Sequence, residues 1–383
     1  MLALPPLTLY IHIPWCVRKC PYCDFNSHAA DTIPETTYID QLLRDLDADM
    51  AFVQGRKLHS IFFGGGTPSL FSGNAIKTIL TGVQQRIAFE DNIEITLEAN
   101  PGTAEANKFA AFFDAGVNRL SIGIQSFNAT HLKTLGRIHD TQQAVQAVQL
   151  AQLSGFERIN IDLMHGLPDQ TCAEALADLQ QAMDIGVTHL SWYQLTIEPN
   201  TAFYNAPPPL PVDDTLWDIQ QAGFSLLDQY GFKQYEVSAF AKACNDRTTQ
   251  QCRHNLNYWQ FGDYLGIGAG AHGKITDPAT GSITRYSKTR LPRHYLERTG
   301  DFYANQQLLT AAERPAEFLM NALRLRDGVP SFLYTQRTGL QLSTLAIPMA
   351  NLIARGLLSK DPERLCTTGK GYLFLNDVLG EFL

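Results

Sequence analysis

Three cysteines, Cys16, Cys20 and Cys23, fall in one short loop with the spacing C-x3-C-x2-C, directly after the apolar run Leu7 to Ile13. Three thiolates can hold three irons of a cubic iron–sulfur cluster and leave the fourth iron without a protein ligand, although such clusters are usually ligated by cysteine throughout. A metal position left open generally serves to bind a reactant. An open iron suits a chelating small molecule, and S-adenosylmethionine is the candidate. Zinc is the alternative and would need a fourth ligand such as His12 or His28. A disulfide with one spare thiol would need an oxidising compartment.

The other four cysteines, Cys172, Cys244, Cys252 and Cys366, are scattered, which is a poor disulfide framework. With 383 residues the chain is long enough for two or three domains. Its 45% hydrophobic and 18% charged residues describe a globular protein. The formal charge of −8 argues against nucleic-acid binding through general electrostatics. No signal peptide and no apolar run of about 18 residues is visible, so a cytoplasmic protein without a membrane span is expected.

Apolar, β-branched runs recur, each followed by a helical pattern. Strands are expected at Leu7–Ile13, His59–Phe63, Ile93–Leu97, Arg119–Ile124, Arg158–Leu163, His189–Leu195 and Gln234–Ser238. Helical spacing is seen over Tyr38–Val53, Ala144–Leu153 and Ala173–Ile185. This alternation predicts an α/β fold, a partial parallel (β/α) barrel. The residues after successive strands support it: the cysteines, Gly64–Pro68, Glu98 with Asn100, Gln125 with Ser126, Asp162 with His165, and Gln194 with Glu198. In a parallel barrel these ends meet at one mouth, where the chemistry is placed. Turn formation alone accounts for the glycines and prolines but not for the recurring Glu, Gln, Asp and His.

Three units are expected: a core over residues 1–205, a barrel-completing segment over 206–300 that follows the stiff connector Ala206–Pro211, and a helical, winged-helix-like unit over 301–383. The last has helices at Ala316–Leu325 and Leu342–Ala354, a kink at Pro348, a small hairpin and a final helix. Its mixed charge favours a packing module over DNA binding.

The run Gly64-Gly65-Gly66-Thr67-Pro68 lets backbone approach a ligand, and its amides suit a carboxylate; a tight turn is the ordinary alternative. Glu98 suits an ammonium or a ribose hydroxyl. Gln125, Arg137 and Asp162 add polar contacts, and Tyr22 suits stacking on an adenine or covering the cluster. Solvated or packing roles are the alternatives for each. The segment Cys252-Arg-His-Asn-Leu-Asn-Tyr-Trp259 sets one histidine, His254, among aromatics. An axial ligand to a haem and a hydrogen-bonded structural histidine are the two readings. Gly266–Gly270 with His272 forms another flexible rim carrying a histidine.

These motifs, with Tyr10-Ile-His-Ile-Pro14, Gly123-Ile-Gln-Ser-Phe127 and Asp162–Pro168, resemble the radical S-adenosylmethionine superfamily, in its oxygen-independent coproporphyrinogen III oxidase group. The chain is most similar to the haem-chaperone branch of that group. The resemblance implies a [4Fe–4S] cluster on Cys16, Cys20 and Cys23. It implies S-adenosylmethionine contacts from Tyr10, Tyr22, Gly65, Gly66, Thr67, Glu98, Gln125, Arg137 and Asp162. It associates His254, in an H-N-x-x-Y-W motif, with haem binding. Two features depart from the oxidases: Phe25 stands where they carry a fourth cysteine, and 15 residues precede Cys16. The expected function is therefore binding haem and handing it to haem-accepting proteins such as membrane respiratory haemoproteins. A homodimer and peripheral membrane association fit that expectation. Oxidative decarboxylation of a porphyrinogen is the alternative, and nucleic-acid binding is not expected.

Overall fold

The computed structural model describes residues 2–102, 106–242 and 250–383. Cys244 lies outside the described residues. Twelve strands form one sheet: β1 (Leu7–Ile13), β2 (Leu58–Gly65), β3 (Phe89–Ala99), β4 (Arg119–Gln125), β5 (Ile159–His165), β6 (His189–Gln194), β7 (Phe232–Glu236), β8 (Ala239–Lys242), β9 (Asp263–Ile267), β10 (His272–Asp277), β11 (Ser282–Lys288) and β12 (Tyr303–Leu308). Their spatial order is β12-β11-β10-β9-β1-β2-β3-β4-β5-β6-β8-β7. From β9 through β1 to β6 every neighbour is parallel. Antiparallel strands extend both edges.

The sequence dictates this arrangement. β1 is buried along almost its whole length, as a parallel strand covered on both faces must be. Parallel neighbours need crossovers, and helices supply them: α1 (Glu35–Ala48), α2 (Gly73–Arg86), α3 (Phe109–Ala115), α4 (Thr141–Leu153) and α5 (Cys172–Asp184). Reciprocal capping boxes, Asp140 with Gln143 and Thr171 with Glu174, set where α4 and α5 begin. After β6 come the irregular Pro207–Pro211 stretch and α6 (Asp213–Gln229). The short α7 (Arg253–Trp259) precedes β9.

Side chains at the ends of six successive strands line one cavity of about 310 Å³. Six strands laid flat would span roughly 24 Å at about 4.8 Å each. The sheet must therefore curl, which is the expected partial barrel.

The carboxyl-terminal region has its own apolar core, with Phe318, Leu319, Tyr334, Leu345, Leu352 and Val378. It packs on the barrel edge, where the Phe261 and Phe318 rings lie 5.8 Å apart. Three expectations are corrected. The sheet runs on through β12, past the boundary expected at residue 300, because Tyr303–Leu308 is a polar edge strand without an apolar signature. Pro348 causes no kink, because the α-helix begins at Ala346 after a separate 3-10 turn, Leu342–Leu345. That places proline in the first helical turn, where it is tolerated. The expected hairpin is reduced to a Leu358–Thr367 bridge and the pairing of Val329–Pro330 with Arg364–Leu365. Among the described residues no helix is long and apolar enough to cross a membrane.

A buried polar knot joins β9 to β10. Asp263 accepts from Lys274 Nζ at 2.9 Å, Arg56 at 2.8 Å and the Thr276 amide at 2.9 Å. Burial alone would raise its carboxyl, but Lys274 and Arg56 outweigh that and hold it below the usual carboxylate range. Asp263→Ala leaves the Lys274 ammonium buried and uncompensated, so a loss of about 3–5 kcal/mol is expected. The urea midpoint reads it, and a change of only a few tenths would contradict the role assigned to this knot.

Candidate active site

The cysteine loop is held where β1 ends. The Gly66 amide donates to Ile13 O at 2.7 Å and the Thr67 amide to Trp15 O at 2.7 Å. Within the loop the Cys23 amide donates to Cys20 O, and the His28 amide to Pro14 O. These bonds turn all three thiols into the cavity. Each sulfur also meets a polar partner: Thr67 Oγ1 lies 3.4 Å from Cys16 Sγ, Arg137 3.7 Å from Cys20 Sγ and Ser27 Oγ 3.7 Å from Cys23 Sγ. Burial pushes the Cys16 and Cys23 thiols up, so an electropositive group must hold them as thiolates.

One chain of donors joins two of the thiols. Arg137 donates to Asn100 Oδ1 at 2.8 Å, Asn100 Nδ2 to Thr67 Oγ1 at 3.1 Å, and Thr67 to Cys16. Arg137 also donates to Gly123 O and to Cys20. Its Nε is buried without a partner.

The glycines are required by space. At Gly66 a Cβ would stand 2.5 Å from Trp15 O, and at Gly65, with φ +113°, 2.4 Å from the His12 ring. The Gly65 amide donates to Glu98 Oε2 at 3.2 Å. Glu98 is pushed up to about 8 by burial, with the Asp162 carboxylate adding to the effect and the Gly65 amide opposing it. Asp162 is also raised by burial, although Asn160, Ser191 and Ser121 bond to it. Two half-buried carboxylates that resist ionisation are poised for a cation. Gln125, strained at φ +74°, accepts from Tyr193 OH at 2.8 Å.

Of the residues expected from sequence, Cys16, Cys20, Cys23, Tyr22, Gly65, Gly66, Thr67, Glu98, Gln125, Arg137 and Asp162 all line this cavity. Tyr10 does not; it lines a neighbouring cavity of about 870 Å³, with Phe25, Gly65 and Glu98 in the wall common to both. His254 lines neither. Its ring is buried, with Nδ1 2.8 Å from Ser60 Oγ and Nε2 2.9 Å from Tyr258 OH. Burial, reinforced by His59, lowers it to about 3, so it is neutral. Sequence reasoning missed Asn100 as a link, Ser27, and the pair Ser121 and Ser191. Strand register was the available signal, since Ser121 lies opposite Glu98 and Ser191 opposite Asp162.

The residues fit an open-iron cluster with a chelating cofactor. No three His, Cys, Asp or Glu side chains among the described residues converge on one point as a single metal ion would need. The thiols instead line one cavity, as ligands to separate irons would. Of the two suggested fourth zinc ligands, His12 has its nitrogens engaged by Tyr10 OH at 3.0 Å and Asn26 O at 2.9 Å, and His28 has Nε2 3.2 Å from Asn26 Oδ1. The glycine cradle, and Glu98 with no ion-pair partner among the described residues, are of the kind that would suit the amino-acid portion of such a cofactor.

Comparison with known proteins agrees. Residues 10–179 match the radical SAM superfamily and residues 309–374 the HemN C-terminal domain. The chain is 54% identical to the heme chaperone HemW of Haemophilus influenzae, over 99% of this chain and 98% of that protein. It is 52% identical to the heme chaperone HemW of Escherichia coli, over the full length of both. The solved coproporphyrinogen III oxidase HemN of Escherichia coli superposes with a TM-score of 0.82, over 99% of this chain and 90% of that one, at 22% identity. That last likeness concerns the fold.

Gly66→Ala forces the cysteine loop off the end of β2. Iron bound after anoxic reconstitution is expected to fall sharply, with a stability loss of about 1–3 kcal/mol from overpacking. Parental iron content would show that the close approach is not needed.

Proposed function

The chain belongs to the radical SAM superfamily, in the family of the heme chaperone HemW, and on that premise we propose that it binds haem and delivers it to haemoproteins. The observation that carries this reading is the pair of adjoining cavities. One has the thiols and polar groups for a [4Fe–4S] cluster with S-adenosylmethionine. The larger is bordered by Tyr258 and Trp259 of α7, the helix that also carries His254. Haem would thus be received beside the His254 segment.

Cys16, Cys20 and Cys23 would ligate the cluster. Gly65, Gly66 and Thr67 would supply backbone to the cofactor's carboxylate, Glu98 would take its ammonium, and Gln125, Arg137, Asp162 and Tyr22 would orient the rest. Such a bound pair supplies one-electron chemistry when reduced. The protein's own part is to fix the cofactor, exclude water and border the haem. The finer form of the proposal includes membrane respiratory haemoproteins as acceptors, a cytoplasmic site of action with peripheral membrane contact, and a homodimer. The oxidase reading is not favoured, because the full-length relatives at 52–54% identity are named as chaperones.

The test is transfer. Cluster-loaded protein should bind one haem per chain and pass it to an apo-haemoprotein faster than free haem is taken up; no binding under those conditions would refute the reading. Cofactor binding should also depend on pH. Glu98 must lose its proton to hold an ammonium, so affinity for S-adenosylmethionine should rise about tenfold per pH unit up to about 8 and level off above it. Equilibrium dialysis checks this, with Glu98→Gln expected to bind weakly and without the pH dependence.

A further inference from the structure

The larger cavity holds an unused histidine. Its lining includes an aromatic group, Tyr258, Trp259 and Tyr264, in which the Tyr258 ring meets Tyr264 edge-on at 4.5 Å. β10 and β11 provide a further part of the lining. His272 lies opposite Ser287 and Lys274 opposite Arg285, and these alternate positions place all four side chains on the cavity face. Two histidines line this cavity, His12 and His272. His12 is buried with both nitrogens engaged. His272 is exposed and has no side-chain hydrogen bond among the described residues.

The charges differ in the same way. Lys274, Lys288 and Arg285 are neutralised by Asp263, by Asp45 with Asp49, and by Glu317. Arg290 is exposed, forms no ion pair among the described residues, and touches only Asn26 through its guanidinium, at 3.2 Å. A flat apolar body, a free imidazole and a guanidinium without an acidic partner in one cavity match the three parts of haem: macrocycle, iron and propionate.

We propose that this cavity is the haem seat, that His272 rather than His254 supplies the axial nitrogen, and that Arg290 receives a propionate. The proposal rests on the haem-binding reading above and adds the site. His254 becomes a positioning residue: it stands one helical turn from Tyr258, bonded to it, and holds that ring in the cavity wall from behind. Partial desolvation by the cavity wall, with Arg285 and Arg290 nearby, lowers His272 although its edge is open to solvent, which keeps a lone pair free for iron at neutral pH. Phe25, 62% exposed, lies in the wall of both cavities, so the loop that carries the cluster ligands also borders the haem.

The test is titration of the full-length, cluster-loaded protein with ferric haem and, separately, with iron-free protoporphyrin. His272→Gly should shift the haem absorption band and weaken haem binding roughly tenfold or more. Added imidazole should restore the parental spectrum, and iron-free protoporphyrin should bind as tightly as to the parent. Arg290→Glu should weaken both ligands without changing the ligation spectrum. His254→Ala should keep a histidine-ligated spectrum. A parental spectrum and affinity in His272→Gly, or loss of ligation only in His254→Ala, overturns the assignment while leaving haem binding intact. Absence of haem binding in the parent defeats both the seat and the function it rests on.

Discussion

Two backbone hydrogen bonds hold the site together. Gly66 and Thr67 donate to Ile13 and Trp15, each at 2.7 Å, and so pin the start of the cysteine loop to the end of the adjacent strand. The approach is possible only because residue 66 has no side chain, since a Cβ there would overlap Trp15 O. From this contact the rest follows. Thr67 is brought to Cys16, Asn100 to Thr67 and Arg137 to Asn100 and Cys20. A parallel sheet suits the task because its curl brings all the carboxyl ends to one mouth.

Much of this was legible in the sequence, for physical reasons. The parallel strands are buried on both faces, so β1 and β5 are buried almost throughout and carry Leu and Ile at alternate positions, with polar residues such as Thr8, His12 and Asn160 between them. The polar residues that interrupt that pattern near strand ends, Glu98, Gln125 and Asp162, line the cavity. β12 was not legible, because a polar edge strand has no buried face to mark it. Nor was the placing of His254. A seven-residue helix offers a short pattern, and only the three-dimensional contact with Ser60 of β2 shows which face turns inward. Tyr10 likewise alternates out of the cluster cavity into its neighbour.

Phe25 separates two possible lives for this fold. The oxidase group carries a cysteine where this chain has an exposed phenylalanine between the cluster cavity and the larger one. An aromatic ring there favours contact with a flat apolar ligand, whereas a thiol would offer hydrogen-atom or proton chemistry. On the proposed reading the barrel would hold a cluster and cofactor in one cavity and present the other as a binding site.

On the proposed reading the larger cavity carries a tetrapyrrole without transforming it. The most direct measurement is product analysis after anoxic incubation of the fully cluster-loaded protein with coproporphyrinogen III, S-adenosylmethionine and a strong reductant, alongside an active oxidase. No protoporphyrinogen is expected from this protein while the oxidase turns over. Protoporphyrinogen formed over many turnovers would contradict that reading and return the chain to the enzymes of porphyrin synthesis.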